Sequence, residues 1–251
     1  MVRAVTASVI GIIGGTGLNR LANLTRPADR IDTPYGPASA IPQIGQIGTQ
    51  QVIFLARHGQ PHRIAPHLIN YRANIWLLRE LGATALLATN AVGSIANAMA
   101  PGDLLIPHQI IDYTWGRLHT YMDSQPLRHV DFSVPYDAAL RDRLRAAALE
   151  LQVDCSVFNA GVYGCTQGPR LESAAEIDRM ARDGCDVVGM TGMPEAGLAR
   201  ELALPYAAVC LSVNRAAGRG EGPLIEADIG RVAEQGMARV EGLLARFIEL
   251  G

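Results

Sequence analysis

Six short segments carry groups that could hold an anion or a polar heterocycle. Gly14-Gly15-Thr16-Gly17 follows an apolar run, and a glycine-rich turn lets backbone N–H groups and a threonine hydroxyl approach an anion. A plain tight turn has the same composition. Arg57-His58-Gly59 follows a second apolar run, with His62, Arg63 and His67 close behind. An arginine fork beside an imidazole suits a phosphate, and a surface cluster would read the same way. Asn90-Ala91-Val92-Gly93-Ser94 repeats the pattern of an apolar run ending in small and polar residues. In Val188-Gly189-Met190-Thr191-Gly192-Met193-Pro194-Glu195, Thr191 could donate to an anion and Met190 could cover a sugar, or fill a core. Glu172, at the end of Gly168-Pro169-Arg170-Leu171-Glu172, is an acceptor for the N–H groups of a base or a solvated carboxylate near a helix start. Asn214 closes the run Tyr206–Val213, and its amide donates and accepts at once, which suits a purine edge or a turn equally.

Several chemistries are excluded. All 22 cations of the 251 residues are arginine, so Schiff-base lysines and a GK[ST] phosphate loop are ruled out. Aligning Gly15-Thr16-Gly17 with G-x-G-x-x-G puts Arg20 at the third glycine, which argues against a dinucleotide fold. His58, His62 and His67 have no HExxH spacing and no carboxylate between them, and no CxxC occurs. A formal net charge of −2 gives no basic footprint for nucleic acid. No apolar run approaches the roughly 20 residues of a membrane span, and Val9–Ile13 is too short for a secretory leader. Four widely spaced cysteines fit a reducing compartment. These features together predict a cytoplasmic protein.

The elements that must position these groups alternate along the chain. The sequence predicts strands at Ser8–Ile13, Gln51–Ala56, Thr84–Thr89, Asp103–Pro107, Asp186–Met190 and Tyr206–Val213. Most are continuous apolar runs, as expected of strands buried on both faces. Leu140, Leu144, Ala147, Ala148 and Leu151 share one helical face. Ser173-Ala174-Ala175-Glu176 is a capping box opening a helix to Arg182. Pro194 fits a first helical turn, and Val232, Met237, Val240, Leu243, Leu244, Phe247 and Ile248 make a long amphipathic C-terminal helix. The pattern is α/β, in one domain over 1–251, with the loop-like stretch 215–228 as a candidate lid.

Taken in order, GIIGGTGL, TPYG, RHG, NYRANIW, TNAVGS, PGDLLIPHQIID, TQGPRLE, VVGMTGMPEAGLARE and the strand ending at Asn214 resemble the trimeric purine nucleoside phosphorylase and methylthioadenosine phosphorylase family across nearly the whole chain. The resemblance implies a mixed sheet curled into a distorted barrel flanked by helices, and phosphorolysis of an N-glycosidic bond. It assigns Thr16, Arg57, His58, Ala91 and Thr191 to the phosphate site, with Asn90 beside it, and lays Met190 against the ribose. It assigns Glu172 and Asn214 to the base, Asn214 as the leaving-group residue, with Arg215 and Ala216 next to it. Family members specific for 6-aminopurines carry Asp at the positions of Asn214 and Ala216, and a small hydroxyl residue at Glu172. This chain has the 6-oxopurine set. A carboxylate wants the N1–H of hypoxanthine or guanine, whereas adenine N1 is an acceptor.

Members acting on inosine place a histidine near the 5′-hydroxyl, downstream of the asparagine. This chain has none after His129. Leu224, Ile225 and Ala227 suit a methylthio group instead. The resemblance therefore implies phosphorolysis of methylthioinosine to hypoxanthine and 5-methylthioribose 1-phosphate. General cleavage of inosine and guanosine is the alternative, and methylthioadenosine cleavage a more distant one. Inorganic phosphate is the co-substrate, with no metal or organic cofactor. A homotrimer is implied, in which a neighbour's loop completes the sugar pocket. His119, Tyr121 and His129 lie in a polar segment that could supply it.

Overall fold

The computed structural model describes residues 8–15, 23–29, 31–123, 126–152, 154–222 and 226–251. Among these residues eleven strands form one mixed sheet. They are β1 (Ile10–Gly14), β2 (Asn23–Pro27), β3 (Gln43–Ile47), β4 (Gln50–Ala56), β5 (Ala85–Ser94), β6 (Leu104–Leu105), β7 (Gln109–Asp112), β8 (Val157–Phe158), β9 (Val162–Cys165), β10 (Val187–Gly189) and β11 (Tyr206–Arg215). Among the described residues five α-helices surround it: α1 (Tyr71–Glu80), α2 (Ala138–Leu151), α3 (Ala174–Arg182), α4 (Glu195–Glu201) and α5 (Glu226–Glu249).

The main path runs β2-β3-β4-β1-β5-β10-β9-β7, and β11, β6 and β8 branch from β5. No pairing joins β2 to β7 among the described residues, so the expected barrel is an open, branched sheet. The branch has a simple cause. One edge of β5 pairs in parallel with β1 through Ala85–Ala88 and antiparallel with β10 at Gly93 and Ser94. Its other edge is taken by β11 along nearly its whole length. The sheet splits where β1 ends and β10 begins.

The apolar runs are buried on both faces with a period of two. Ile10, Ile12, Ala85 and Leu87 pack in a cluster with Leu140, Leu144, Val240, Leu243 and Phe247 of α2 and α5. Ile13, Leu86 and Ala88 face the opposite cluster, with Ile75 and Leu78 of α1 and Ala196 and Leu198 of α4. Burying a leucine or isoleucine of this kind is worth about 1.5–3 kcal/mol. The capping box of α3 is present, with Ser173 and Glu176 bonding each other's backbone N–H groups. Pro194 is the N-cap of α4.

Two boundaries differ from expectation, and both matter. Asn90–Ser94 is not a loop after a strand but the second half of β5, held by β11 and β10. Asn214 likewise does not end its strand, because β11 continues to Arg215 after a register shift between Ser212 and Asn214. The short strands β2, β3, β7, β8 and β9 were not legible as apolar runs. Of the predicted lid, 223–225 lie outside the described residues, and α5 already begins at Glu226.

Candidate active site

The split in the sheet opens onto a cavity of about 360 Å³. It is lined by Gly15 after β1, Arg57 and His58 after β4, Thr89, Ala91, Val92 and Gly93 of β5, and Val188–Thr191 at the end of β10. Val213, Asn214, Ala216 and Ala217 come from β11 and the residues after it, Leu171 and Glu172 from the segment before α3, and Ile229, Ala233 and Met237 from α5. Residues more than two hundred positions apart thus meet at the carboxyl ends of β1, β4, β10 and β11, where open α/β sheets place ligands.

Arg57 is fully buried and is not a free fork. Its Nε donates to Oε2 of Glu195 at 2.7 Å and its Nη2 to Oε1 at 2.8 Å. Its Nη1 donates to the Thr89 carbonyl at 2.9 Å. A guanidinium has five N–H donors, so one remains on each terminal nitrogen for a ligand. Tyr206 donates its hydroxyl to the same carboxylate at 2.9 Å. Burial alone would lower the Arg57 pKa, but the charge and hydrogen bonds of Glu195 outweigh it and hold the pKa above the usual value. Glu195 has no exposed surface, and the sequence did not single it out.

His58 sits beside it with its Nδ1 2.8 Å from the Ile64 carbonyl. A carbonyl only accepts, so Nδ1 carries the proton and Nε2 is the acceptor of the neutral ring. The ring stacks on His62 at 4.3 Å, nearly parallel. Burial pushes the His58 pKa down to about 4, aided by the charges of Arg57 and His62 and opposed by the Ile64 bond.

Thr191 is nearly buried and lines the cavity. Asn90 does not reach the cavity itself. Its Nδ2 donates to Oγ1 of Thr191 at 2.8 Å, which leaves the threonine hydrogen to be donated onward. The backbone N–H groups of Thr191 and Gly192 lie 3.3 Å from the Tyr163 hydroxyl oxygen. A Cβ at Gly192 would fall 2.2 Å from the Tyr163 ring, so only glycine fits this turn. Thr89 adds a buried hydroxyl with no hydrogen-bond partner among the described residues, a further group sequence reading missed.

Asn214 donates Nδ2 to the Arg215 carbonyl at 2.6 Å, leaving Oδ1 and one amide hydrogen. The shift in register before it is what turns the side chain toward the cavity. Glu172 accepts from the Thr166 hydroxyl at 2.6 Å. Met190, Ala216 and Ala217 also line the cavity. Arg215 is turned away, its Nη1 bonded to the carbonyls of Ala96 and Asn97.

Thr16, Leu224 and Ile225, and the side chain of Ala227, lie outside the described residues. The apolar wall comes from the next turns of the same helix. Ile229, Ala233 and Met237 stand at i, i+4 and i+8, so one stripe of α5 faces the cavity. In the segment between β7 and α2, Tyr121 is buried and donates to the Arg72 carbonyl, whereas His119 and His129 are exposed. Cys155, Cys165, Cys185 and Cys210 are free thiols. Among the described residues, no three His, Cys, Asp or Glu side chains converge as a metal site.

A family model described as the phosphorylase superfamily matches residues 9–249. A protein of Pseudomonas syringae pv. tomato, named a probable S-methyl-5'-thioinosine phosphorylase, is 52% identical over 244 residues, covering 96% of this chain and 98% of its own. A probable 6-oxopurine nucleoside phosphorylase of Thermococcus kodakarensis is 42% identical, covering 96% of this chain and 91% of its own. Among solved structures, methylthioadenosine phosphorylase from Schistosoma mansoni in complex with adenine superposes with a TM-score of 0.90 at 30% identity, over 98% of this chain and 92% of that one.

Proposed function

From the chain's membership of the phosphorylase superfamily, we propose that it cleaves 5′-methylthioinosine with inorganic phosphate, giving hypoxanthine and 5-methylthioribose 1-phosphate. The observation that carries this reading is one cavity whose wall gathers three unlike sets of side chains. Arg57, His58 and Thr191 supply donors suited to an anion, Glu172 and Asn214 supply groups suited to a purine edge, and Ile229, Ala233 and Met237 supply an apolar surface.

In this reading phosphate lies against the spare Arg57 N–H groups, the Thr191 hydroxyl, His58, Ala91 and Thr16. One of its oxygens attacks C1′ from the face opposite the base as the C1′–N9 bond breaks and its electron pair passes to the purine. The ribosyl centre is oxocarbenium-like at the transition state, with Met190 against the sugar. Charge building on the purine is met by Asn214, which accepts from N7–H and donates to O6, more strongly in the transition state than before it. Hydrogen phosphate loses one proton on becoming the sugar phosphate, and the purine gains one, so the reaction balances. Glu172 accepts the N1–H. Adenine N1 has no hydrogen there and would face a carboxylate lone pair, which disfavours 6-aminopurines.

The relative named a 6-oxopurine nucleoside phosphorylase supports a second reading, general cleavage of inosine and guanosine. The two differ only at the 5′ end. A phosphate-dependent base-release assay on methylthioinosine, inosine and methylthioadenosine separates them. Preference for methylthioinosine is expected. Comparable turnover of inosine establishes the second reading, and preference for methylthioadenosine overturns the base assignment.

The proposal extends to purine salvage in the cytoplasm, by one domain that assembles as a homotrimer and needs no metal or organic cofactor. The four free thiols fit a reducing compartment. No helix among the described residues is long and apolar enough to cross a membrane. The segment before α2 leaves Trp115, Leu118 and Leu127 between 65% and 76% exposed, an apolar surface suited to burial against a second copy. Light scattering would test the trimer. The exposed His119 and His129 of this segment are then the residues to reach a neighbour's sugar pocket, and Tyr121, bound within its own subunit, is not.

A further inference from the structure

Glu172 alone is a poor discriminator, because a carboxylate on a flexible side chain can turn away from a base that repels it. The structure surrounds it with groups that limit this freedom. Thr166, the residue after β9, donates its backbone N–H to the Gly189 carbonyl at 2.8 Å. Its hydroxyl lies 2.6 Å from Oε1 of Glu172 and 3.3 Å from the same Gly189 carbonyl. A hydroxyl has one hydrogen, and the shorter contact to a charged acceptor takes it.

Thr166 is itself held. Arg117, 8% exposed, donates Nη2 to the carbonyls of Thr166 and Gln167 at 3.1 and 2.8 Å, and Nε to the Gln167 side chain at 3.1 Å. Its Nη1 reaches the Met190 carbonyl at 2.9 Å, so one guanidinium ties the segment carrying Glu172 to the turn carrying Met190 and Thr191. Gly168 completes the fit. Its φ is +60°, and a Cβ there would lie 2.5 Å from the Met190 sulfur.

We propose that Thr166 is a positioning residue for base specificity: its hydroxyl occupies one oxygen of Glu172 and so presents the other, as an acceptor, to the N1–H of a 6-oxopurine. The proposal rests on the base-reading role given to Glu172 above. It makes the choice between 6-oxo and 6-amino purines a property of the pair and not of Glu172 by itself. A group fixed before binding loses less freedom when the base arrives.

The test is a double-mutant cycle on the full-length enzyme, with kcat and KM measured for methylthioinosine, methylthioadenosine and phosphate. Thr166→Val keeps the shape and removes the donor. It is expected to raise KM for methylthioinosine roughly tenfold, the scale of one hydrogen bond to a charged group, and to raise turnover of methylthioadenosine, because the released carboxylate can turn away from adenine, with KM for phosphate unchanged. Thr166→Ser restores the donor and is expected to restore KM. In a Glu172→Ala background, Thr166→Val is expected to add nothing, because its partner is gone. Additive losses in that background, or an equal rise in KM for phosphate, would mean a merely structural role and overturn the proposal. If Glu172→Ala is selective against methylthioinosine and Thr166→Val is silent, the proposal alone fails. If Glu172→Ala affects both nucleosides equally, the base-reading role fails first and takes the proposal with it.

Discussion

Arg57 and Glu195, 138 positions apart in the chain, form a two-pronged ion pair in which neither side chain is more than 2% exposed. The pair joins the end of β4 to the first turn of α4 and is closed by Tyr206 from the start of β11. It turns a flexible arginine into a fixed one at the cavity wall. Glu195→Ala would strand the guanidinium without a counter-charge. We expect a loss of about 3–5 kcal/mol in folding stability, measured by urea denaturation, together with a higher KM for phosphate in whatever fraction remains folded. Unchanged stability would mean that Arg57 finds water or another partner.

Asn214 is expected to act on the chemical step. Asn214→Ala should lower kcat/KM for methylthioinosine by about 10²–10³-fold, the cost of one donor to a developing charge, while KM for phosphate stays within a factor of about two. Wild-type turnover in this variant would remove Asn214 from leaving-group stabilisation.

Asn90 and Thr191 form a relay. Asn90→Ala frees the Thr191 hydroxyl to rotate and should raise KM for phosphate by a few fold. Thr191→Val deletes the donor and should raise it more, by roughly tenfold. Initial-rate measurements at varied phosphate order the two, and the reverse order would show that Asn90 contacts the ligand directly.

The α5 stripe is expected to set 5′ selectivity. Met237→Ala removes apolar surface from that wall and should weaken methylthioinosine relative to inosine by about 1–3 kcal/mol, or roughly 10–200-fold in the ratio of kcat/KM values. A ratio that does not move would place the 5′ substituent elsewhere in the cavity.

His58 makes stability depend on pH. Burial lowers its pKa from 6.5 to about 4 in the folded protein. Between these values the unfolded chain holds the extra proton, so stability is full above about pH 6.5 and is lost as pH falls toward 4. His58→Asn should flatten that part of the profile, read as unfolding free energy at pH 7.5 and at pH 5. A profile as steep as that of the wild type would assign the acid limb to other groups.

What the sequence determined by itself was the alternation of elements and the chemistry available. Continuous apolar runs marked β1, β4 and β11 and the first half of β5, because strands buried on both faces leave no polar positions. Cap chemistry marked α3, because it is written within four neighbouring residues. The motifs at Arg57, Glu172, Met190–Thr191 and Asn214 were visible because each stands beside such an element.

Tertiary structure decided the rest. That Asn90–Ser94 is strand follows from edges supplied by β10 and β11, far off in sequence. That Asn90 serves Thr191, that Arg215 turns away, and that Arg57 is anchored by Glu195 are contacts between distant segments, which no local pattern encodes. The apolar wall at Ile229, Ala233 and Met237 lies on the same helical stripe of α5 as Val240, Leu244 and Phe247 and packs against their core cluster as well. Only the docking of the helix on the sheet decides where along that stripe the core gives way to the cavity, since the same side chains are stable against either surface.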